Sequence, residues 1–383
     1  MKIAINCIFC QPRGGGIKEY IVNLTNHIAK TDQKNEYLLY VLEDQLDYAQ
    51  CLLPNRYRLK IVPFKSSLIS VIERSLFSQR FWSKEEQVEK FDIFHSPFFY
   101  APRLRHARLI VTVHDLRLYR FPKTYGKLRY IFLQHSVKET LKRADTIISI
   151  SDFTKQEIID TCKISSEKIT VVHEAINRES FSPAIIENYE LPKEYDYLKE
   201  GRFIFSLGHI EPRKNHTRLI EAFKTIKKEK RNADVKLIIA GKKYVDYKTV
   251  INLTNKTPDI VYMDFIPRTL LLWLYHHAAL FVYPSYYEGF GFPPLEAASL
   301  GTLSAVSNVS SIPEVCGDCA IYFNPFDVAE MANRIDAGLN NIELRRQKKS
   351  LLEQQLNNFS WEKNARETIS LYNRLYPSDD RIK

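Results

Sequence analysis

Short apolar blocks recur along the chain, and between them apolar residues spread to a spacing of three and four. KIAINCIF (2–9), EYLLYVL (36–42), RLKIVPF (58–64), FDIFHS (91–96), RLIVTVHD (108–115), TIISIS (146–151) and KITVVHE (168–174) are short and rich in β-branched and aromatic residues, which predicts strands. Over 16–30, Ile17, Tyr20, Ile21, Leu24 and Ile28 fall on one helical face. Helices are also predicted over 68–90, 125–143 and 152–162, the last opened by Ser151 as a cap. The pattern lapses into a polar stretch with Pro183 and Pro192, read as a linker over 184–200. It then resumes with strands RFIFSLG (202–208), VKLIIAG (235–241), IVYM (260–263), ALFVYP (279–284), TLSAVS (302–307) and AIYFN (320–324). Helices are predicted over 215–230, 243–255, 270–277, 327–338, 342–355 and 361–376. Strands alternating with helices imply parallel, doubly wound sheets. The fold class is therefore α/β, with two Rossmann-like domains facing a cleft: 1–183, a linker 184–200, 201–358, and a C-terminal helical segment 359–383.

Composition adds little: 45% apolar and 26% charged residues describe an ordinary globular protein. Charge adds more. The net charge is +10, and from Arg103 to Arg143 eleven Lys or Arg face only Asp115 and Glu139. Aromatics interleave there, as in LRLYRFPKTYGKLRYIF (116–132). Such a surface suits anionic lipid better than nucleic acid, and a solvated basic helix is the plainer alternative. Two C-x-x-C pairs, Cys7/Cys10 and Cys316/Cys319, lie too far apart in the chain for a zinc ribbon, so buried thiols are expected. MKIAINCIFC alternates like a strand rather than a secretory signal, and no apolar run reaches about 18 residues. A cytoplasmic protein is expected, peripheral on the inner face of the cell membrane through residues 103–143.

Three strand ends carry candidate chemistry. EGFGFPPLE places Glu288 and Glu296 around Gly289, Phe290, Gly291 and two prolines. Pro is favoured at a helix start, so a helix is predicted from Pro293 or Pro294, with Glu296 in its first turn. Free N–H groups at such a start suit a phosphate, and flanking carboxylates accept from sugar hydroxyls. The alternative is an ordinary strand–loop–helix connection. In SLGHIEPRKN, Gly208 turns the chain, and Arg213 and Lys214 precede a helix. The helix dipole disfavours cations there, which points to a bound diphosphate held by a forked guanidinium and a point charge. In TVHDL, His114 sits at a strand end, where it is either structural or a sugar contact. Gly14, Gly15 and Gly16 follow the first strand and permit close backbone approach, but they do not form a dinucleotide fingerprint.

Taken together, the E-x7-E pair, the EPRKN cations, the glycine loop and the VTVHDL strand end resemble the retaining glycosyltransferases of family four. RADTIISISDFTKQEI, KITVVHEAI, SNVSSIPEVCGD and NNFSWEKNARETISLY are similar to segments of that family, so the likeness covers most of the chain. It implies the GT-B fold, an acceptor-binding first domain, a nucleotide-sugar-binding second domain and a last helix crossing back onto the first. It implies that Arg213 and Lys214 hold the donor diphosphate, that Glu296 takes the ribose, and that Glu288 touches the transferred sugar. Gly289, Phe290 and Gly291 would give backbone contacts, Gly15 and Gly16 would lie near the phosphates and the acceptor, and His114 would contact the donor sugar. SNVSSIPEV and EPRKN look like members using GDP-mannose. Tyr286-Tyr287 before Glu288 and His173-Glu174-Ala175 depart from the family pattern. No Asp-x-Asp is present, so no metal is expected. The expected reaction passes a sugar, favoured as mannose, to a glycan or lipid-linked acceptor in bacterial surface polysaccharide assembly. A nucleotide-sugar epimerase on a similar scaffold, or a non-catalytic sugar-nucleotide-binding protein, remain alternatives.

Overall fold

The computed structural model describes residues 1–12, 15–66, 68–199 and 201–376, and only the backbone of 68–77. Gly14 lies outside the described residues. The chain divides into two units, Met1–Ala175 joined by the segment from Ser360, and Ile176–Phe359.

The first unit is built on a seven-stranded sheet of β1 (Lys2–Asn6), β2 (Glu36–Leu42), β3 (Arg58–Val62), β4 (Ile93–Ser96), β5 (Arg108–Val113), β6 (Thr146–Ser149) and β7 (Ile169–Val171). All neighbours are parallel, in the order β3-β2-β1-β4-β5-β6-β7. The continuous apolar runs have this cause: a parallel sheet is covered on both faces, so both sets of side chains are buried. In β2 every residue after Glu36 is buried. The order reverses between β1 and β4, the place where such sheets take ligands beyond their carboxyl ends. β1 stops at Asn6, earlier than its apolar run, because the chain turns with a Cys10 N–H to Cys7 carbonyl bond of 2.8 Å.

The helix Trp361–Leu375 belongs to this first unit and packs on the helix Gly15–Thr31. Ser360 caps it by accepting from Lys363 N–H. Its Tyr372 hydroxyl meets His95 Nδ1 at 2.7 Å, and His95 Nε2 meets Thr112 Oγ1 at 2.8 Å. All three residues are fully buried or nearly so.

The second unit holds β8 (Phe203–Leu207), β9 (Lys236–Ala240), β10 (Ile260–Met263), β11 (Leu280–Tyr283), β12 (Ser304–Ser307) and β13 (Ile321–Phe323). They lie parallel in the order β10-β9-β8-β11-β12-β13, which reverses between β8 and β11. Residues 184–200, read as a linker, contribute Ile186, Leu191 and Leu198 to this unit's core. Helix ends differ from expectation in several places: that predicted over 215–230 is His216–Ile226, and that over 152–162 widens from α to π at Ile158. The helix predicted over 243–255 is Lys248–Lys256, that over 125–143 starts at Lys127 after Gly126, and that over 342–355 breaks into Ile342–Ser350 and Leu352–Asn357.

Candidate active site

The two turns that flank the reversal in the second unit build the site. After β8, Glu211 is extended, Pro212 opens a single 3₁₀ turn over Pro212–Lys214, and Asn215 takes φ +58° before the helix His216–Ile226. Pro suits a turn start, and Asn tolerates the left-handed region, so PRKN is the local code for this hook. The Asn215 amide pins it by donating to the Pro325 carbonyl at 2.9 Å. After β11 the chain runs through Ser285 to Gly291 into the helix Phe292–Ser299. Gly291 is the residue before that helix and has φ +101°, a conformation that L side chains rarely adopt. The helix starts one residue earlier than its prolines suggest, so Glu296 falls in the second turn, not the first.

A backbone bond from Tyr286 N–H to the Arg213 carbonyl, 2.9 Å, ties the two turns together. Side chains then interlock. Glu288 accepts from Arg213 Nη1 on Oε2 and from Lys214 Nζ on Oε1, both at 2.7 Å. Arg213 Nη1 also donates to the Tyr287 carbonyl at 2.7 Å. Its Nε and Nη2 donate to Glu211 Oε1 at 3.1 and 2.7 Å. Lys214 donates to the Tyr283 hydroxyl at 2.8 Å. The lysine stem passes over Gly208, where an added Cβ would come within 3.1 Å of Lys214 Cδ, so glycine leaves the stem its place. Glu288 N–H donates to Ser310 Oγ at 3.2 Å, and Ser311 Oγ donates to the Glu288 and Phe290 carbonyls at 2.9 and 2.8 Å.

Electrostatics follow from this packing. Burial alone would raise the Glu288 carboxyl, but Lys214 and Arg213 overcome it and hold it down at about 2. Burial also opposes charge on Arg213, yet Glu288 and Glu211 raise it further. Lys214 is fully enclosed, and desolvation pulls its ammonium below the usual lysine range despite Glu288. Two cations and two carboxylates thus form a neutral, buried, pre-positioned cluster. The cations that sequence reasoning assigned to a diphosphate therefore already have protein partners.

Glu296 lies on the helix Phe292–Ser299, half-buried, and accepts from the Tyr275 hydroxyl at 2.6 Å. The Phe290 ring is buried against Phe292 and Phe359. Gly289 is buried in the same loop. His114, Gly15 and Gly16 belong to the first unit. Gly15 and Gly16 open the helix Gly15–Thr31, and a Cβ on either would meet nothing within 4 Å. His114 follows β5. Its Nδ1 lies 2.9 Å from Glu174 Oε1 and its Nε2 2.8 Å from the Pro97 carbonyl. Both neighbours are acceptors, so the ring donates from both nitrogens. Burial opposes that charge, but Glu174 outweighs it and raises the imidazole. Sequence reasoning missed Glu211, Tyr283, Tyr275, Ser310 and Ser311. Glu211 had a signal in its place in EPRKN, and Ser310 and Ser311 in theirs in SNVSSIPEV; the two tyrosines had none.

The profile described as Glycosyltransferase Family 4 matches residues 14–180, and that described as Glycosyl transferases group 1 matches 188–350. The chain is 32% identical over 286 residues to the O-antigen chain mannosyltransferase B of Escherichia coli, 74% of each chain. The protein belongs to glycosyltransferase family four. This family-four chain is also 31% identical over 249 residues to the serotype-specific mannosyltransferase WbdA of Escherichia coli, 62% of this chain but only 30% of that longer one. Among solved structures it is similar to sucrose-phosphate synthase from Thermosynechococcus elongatus, with a TM-score of 0.76 at 17% identity, covering 98% and 99% of the two chains. A glycosyltransferase from Rickettsia africae ESF-5 gives a TM-score of 0.71 at 16% identity, covering 98% and 99%. The fold of this glycosyltransferase is GT-B, and its family uses nucleotide-sugar donors. Among the described residues, no helix is long and apolar enough to cross a membrane.

Proposed function

We propose that this glycosyltransferase moves a mannosyl group from GDP-mannose to a hydroxyl of a glycan or lipid-linked acceptor, with retention, in bacterial surface polysaccharide assembly. The observation that carries the reading is the Glu288 carboxylate bridging Arg213 and Lys214 where the second sheet reverses. The names of the relatives, O-antigen chain mannosyltransferase B and serotype-specific mannosyltransferase WbdA, support mannose.

The bond between the anomeric carbon and a phosphate oxygen breaks, and its electron pair stays on the phosphate. Arg213 Nη2 and Lys214 Nζ each keep one N–H beyond their bonds to Glu211, Glu288 and Tyr283, and these two donors stabilise that charge, a role a divalent cation takes in other transferases. The acceptor oxygen bonds the anomeric carbon on the face the phosphate leaves, and its proton passes to the departing phosphate. Glu288 fixes both cations and lies beside the sugar. Glu296 accepts from the ribose hydroxyls, and Gly289, Phe290 and Gly291 offer backbone to sugar and phosphate. Gly15 and Gly16 lie near the phosphates and the acceptor. His114 contacts the donor sugar as a hydrogen-bonded imidazolium edge rather than as a proton acceptor. The first unit takes the acceptor, the second takes the donor, and the protein works on the cytoplasmic side of the cell membrane.

A thermal-shift panel of GDP, UDP, ADP and dTDP tests the donor. GDP at a hundredfold excess over Kd is expected to stabilise the protein by about 2.7 kcal/mol, the others less. A larger response to UDP would replace GDP as the base, and no response to any nucleotide would remove the donor site.

A further inference from the structure

We propose that the amino-terminal half of the helix Lys127–Arg143, with the turn before it, docks on an anionic lipid bilayer. Leu128, Ile131 and Phe132 are 85%, 53% and 50% exposed. Their spacing of three and four puts them on one stripe of the helix. The other face is also apolar: Val137 and Leu141 are in the core of the first unit, with Tyr130 and Leu133 packed against it. Burial within the protein therefore accounts for one face and leaves a second, outward one. Contiguous exposed apolar surface of this kind marks an interaction site.

The surroundings select the partner. Lys123, Lys127 and Arg129 are exposed around the stripe, and no acidic residue occurs between Asp115 and Glu139. An apolar stripe rimmed by cations matches the acyl boundary and headgroups of an anionic membrane. A second copy of the chain would set the same cations against each other. Nucleic acid would neutralise them but leave the stripe in water. The docking face is narrower than the basic stretch in the sequence. Farther along, Arg108 is paired with Asp145 at 3.0 Å, and Arg143 donates to the Ala101 and Pro102 carbonyls, so those cations are already engaged. The docking segment follows the carboxyl end of β5, where His114 sits. A lipid-linked acceptor bound at that edge of the sheet would keep its lipid end near the bilayer.

Vesicle flotation of the full chain tests this, with phosphatidylglycerol–phosphatidylcholine vesicles against phosphatidylcholine alone. The protein is expected to float with the anionic vesicles and to be released by high salt. Ile131→Asp with Phe132→Asp should weaken that binding at least tenfold. Lys123→Gln, Lys127→Gln and Arg129→Gln together should weaken it and flatten its salt dependence. Leu128→Ser, a milder change, serves if the double variant melts abnormally. Equal binding to both vesicle types, anionic binding unchanged in the stripe variants, or a stripe-dependent dimer that ignores vesicles would each overturn the proposal.

Discussion

Glu288 is held by two ion pairs at 2.7 Å, and its charge is the hinge of the site. Glu288→Gln keeps the shape and removes the charge, so Arg213 and Lys214 lose their common anchor. The transfer rate is expected to fall by about 10²–10³, as for loss of a pre-positioned charge partner, while circular dichroism stays native. Stability carries a second signature. The folded carboxyl titrates at about 2 against an ordinary 4.5, so it contributes stability above pH 4.5 that is lost as pH falls through 2. That contribution is about 3 kcal/mol. Urea unfolding should show wild type losing this advantage across the acid range, with the two proteins converging near pH 2. A constant gap between them would show that the Glu288 charge does not stabilise the fold. Arg213, Lys214 and Glu288 were legible in the sequence because cations before a helix and a carboxylate among glycines are unusual in plain connections. Tyr283 and Tyr275 were not, because each lies in an apolar run and only the fold turns its hydroxyl toward a charged group.

Among elements, the helix Trp361–Leu375 makes the most specific contact, the Tyr372 hydroxyl on His95. Burial, and more weakly the neighbouring His114, lowers His95 to about 3, so the ring is neutral in the folded protein. Tyr372→Phe leaves a buried ring nitrogen without its partner, at a cost of about 1–3 kcal/mol that chemical denaturation should measure. The native ring resists protonation, whereas the unfolded one accepts it near 6.5. Stability from His95 is therefore complete above that pH and falls as pH drops from 6.5 toward 3. Strands were legible because a parallel sheet buries both faces and leaves continuous apolar runs. Helix starts were less so: Gly126 interrupts a run that its periodicity joins, and the loop before Lys248 carries lysines and a valine, as does the helix it precedes.

For the whole molecule, two parallel sheets follow from alternation alone, but their strand order does not. Nothing local in β4 or β11 says that it returns to the far side of β1 or β8, since pairing is decided by packing between distant segments. Membership of residues 184–200 in the second core is hidden for a similar reason: Ile186, Leu191 and Leu198 are scattered among charges with no helical or strand period. The path of the chain has a consequence for its birth on the ribosome. The first unit includes the helix Trp361–Leu375, which is made after the whole of the contiguous unit Ile176–Phe359. Domains usually mature in the order they emerge. Here the later-made unit is expected to close first, while Tyr20 and His95 still lack Trp361 and Tyr372. A chain stopped at Phe359 should therefore yield, under brief proteolysis, a protected fragment spanning 176–359 and a digested amino-terminal half. Equal protection of both halves would mean that the first sheet closes without its final helix.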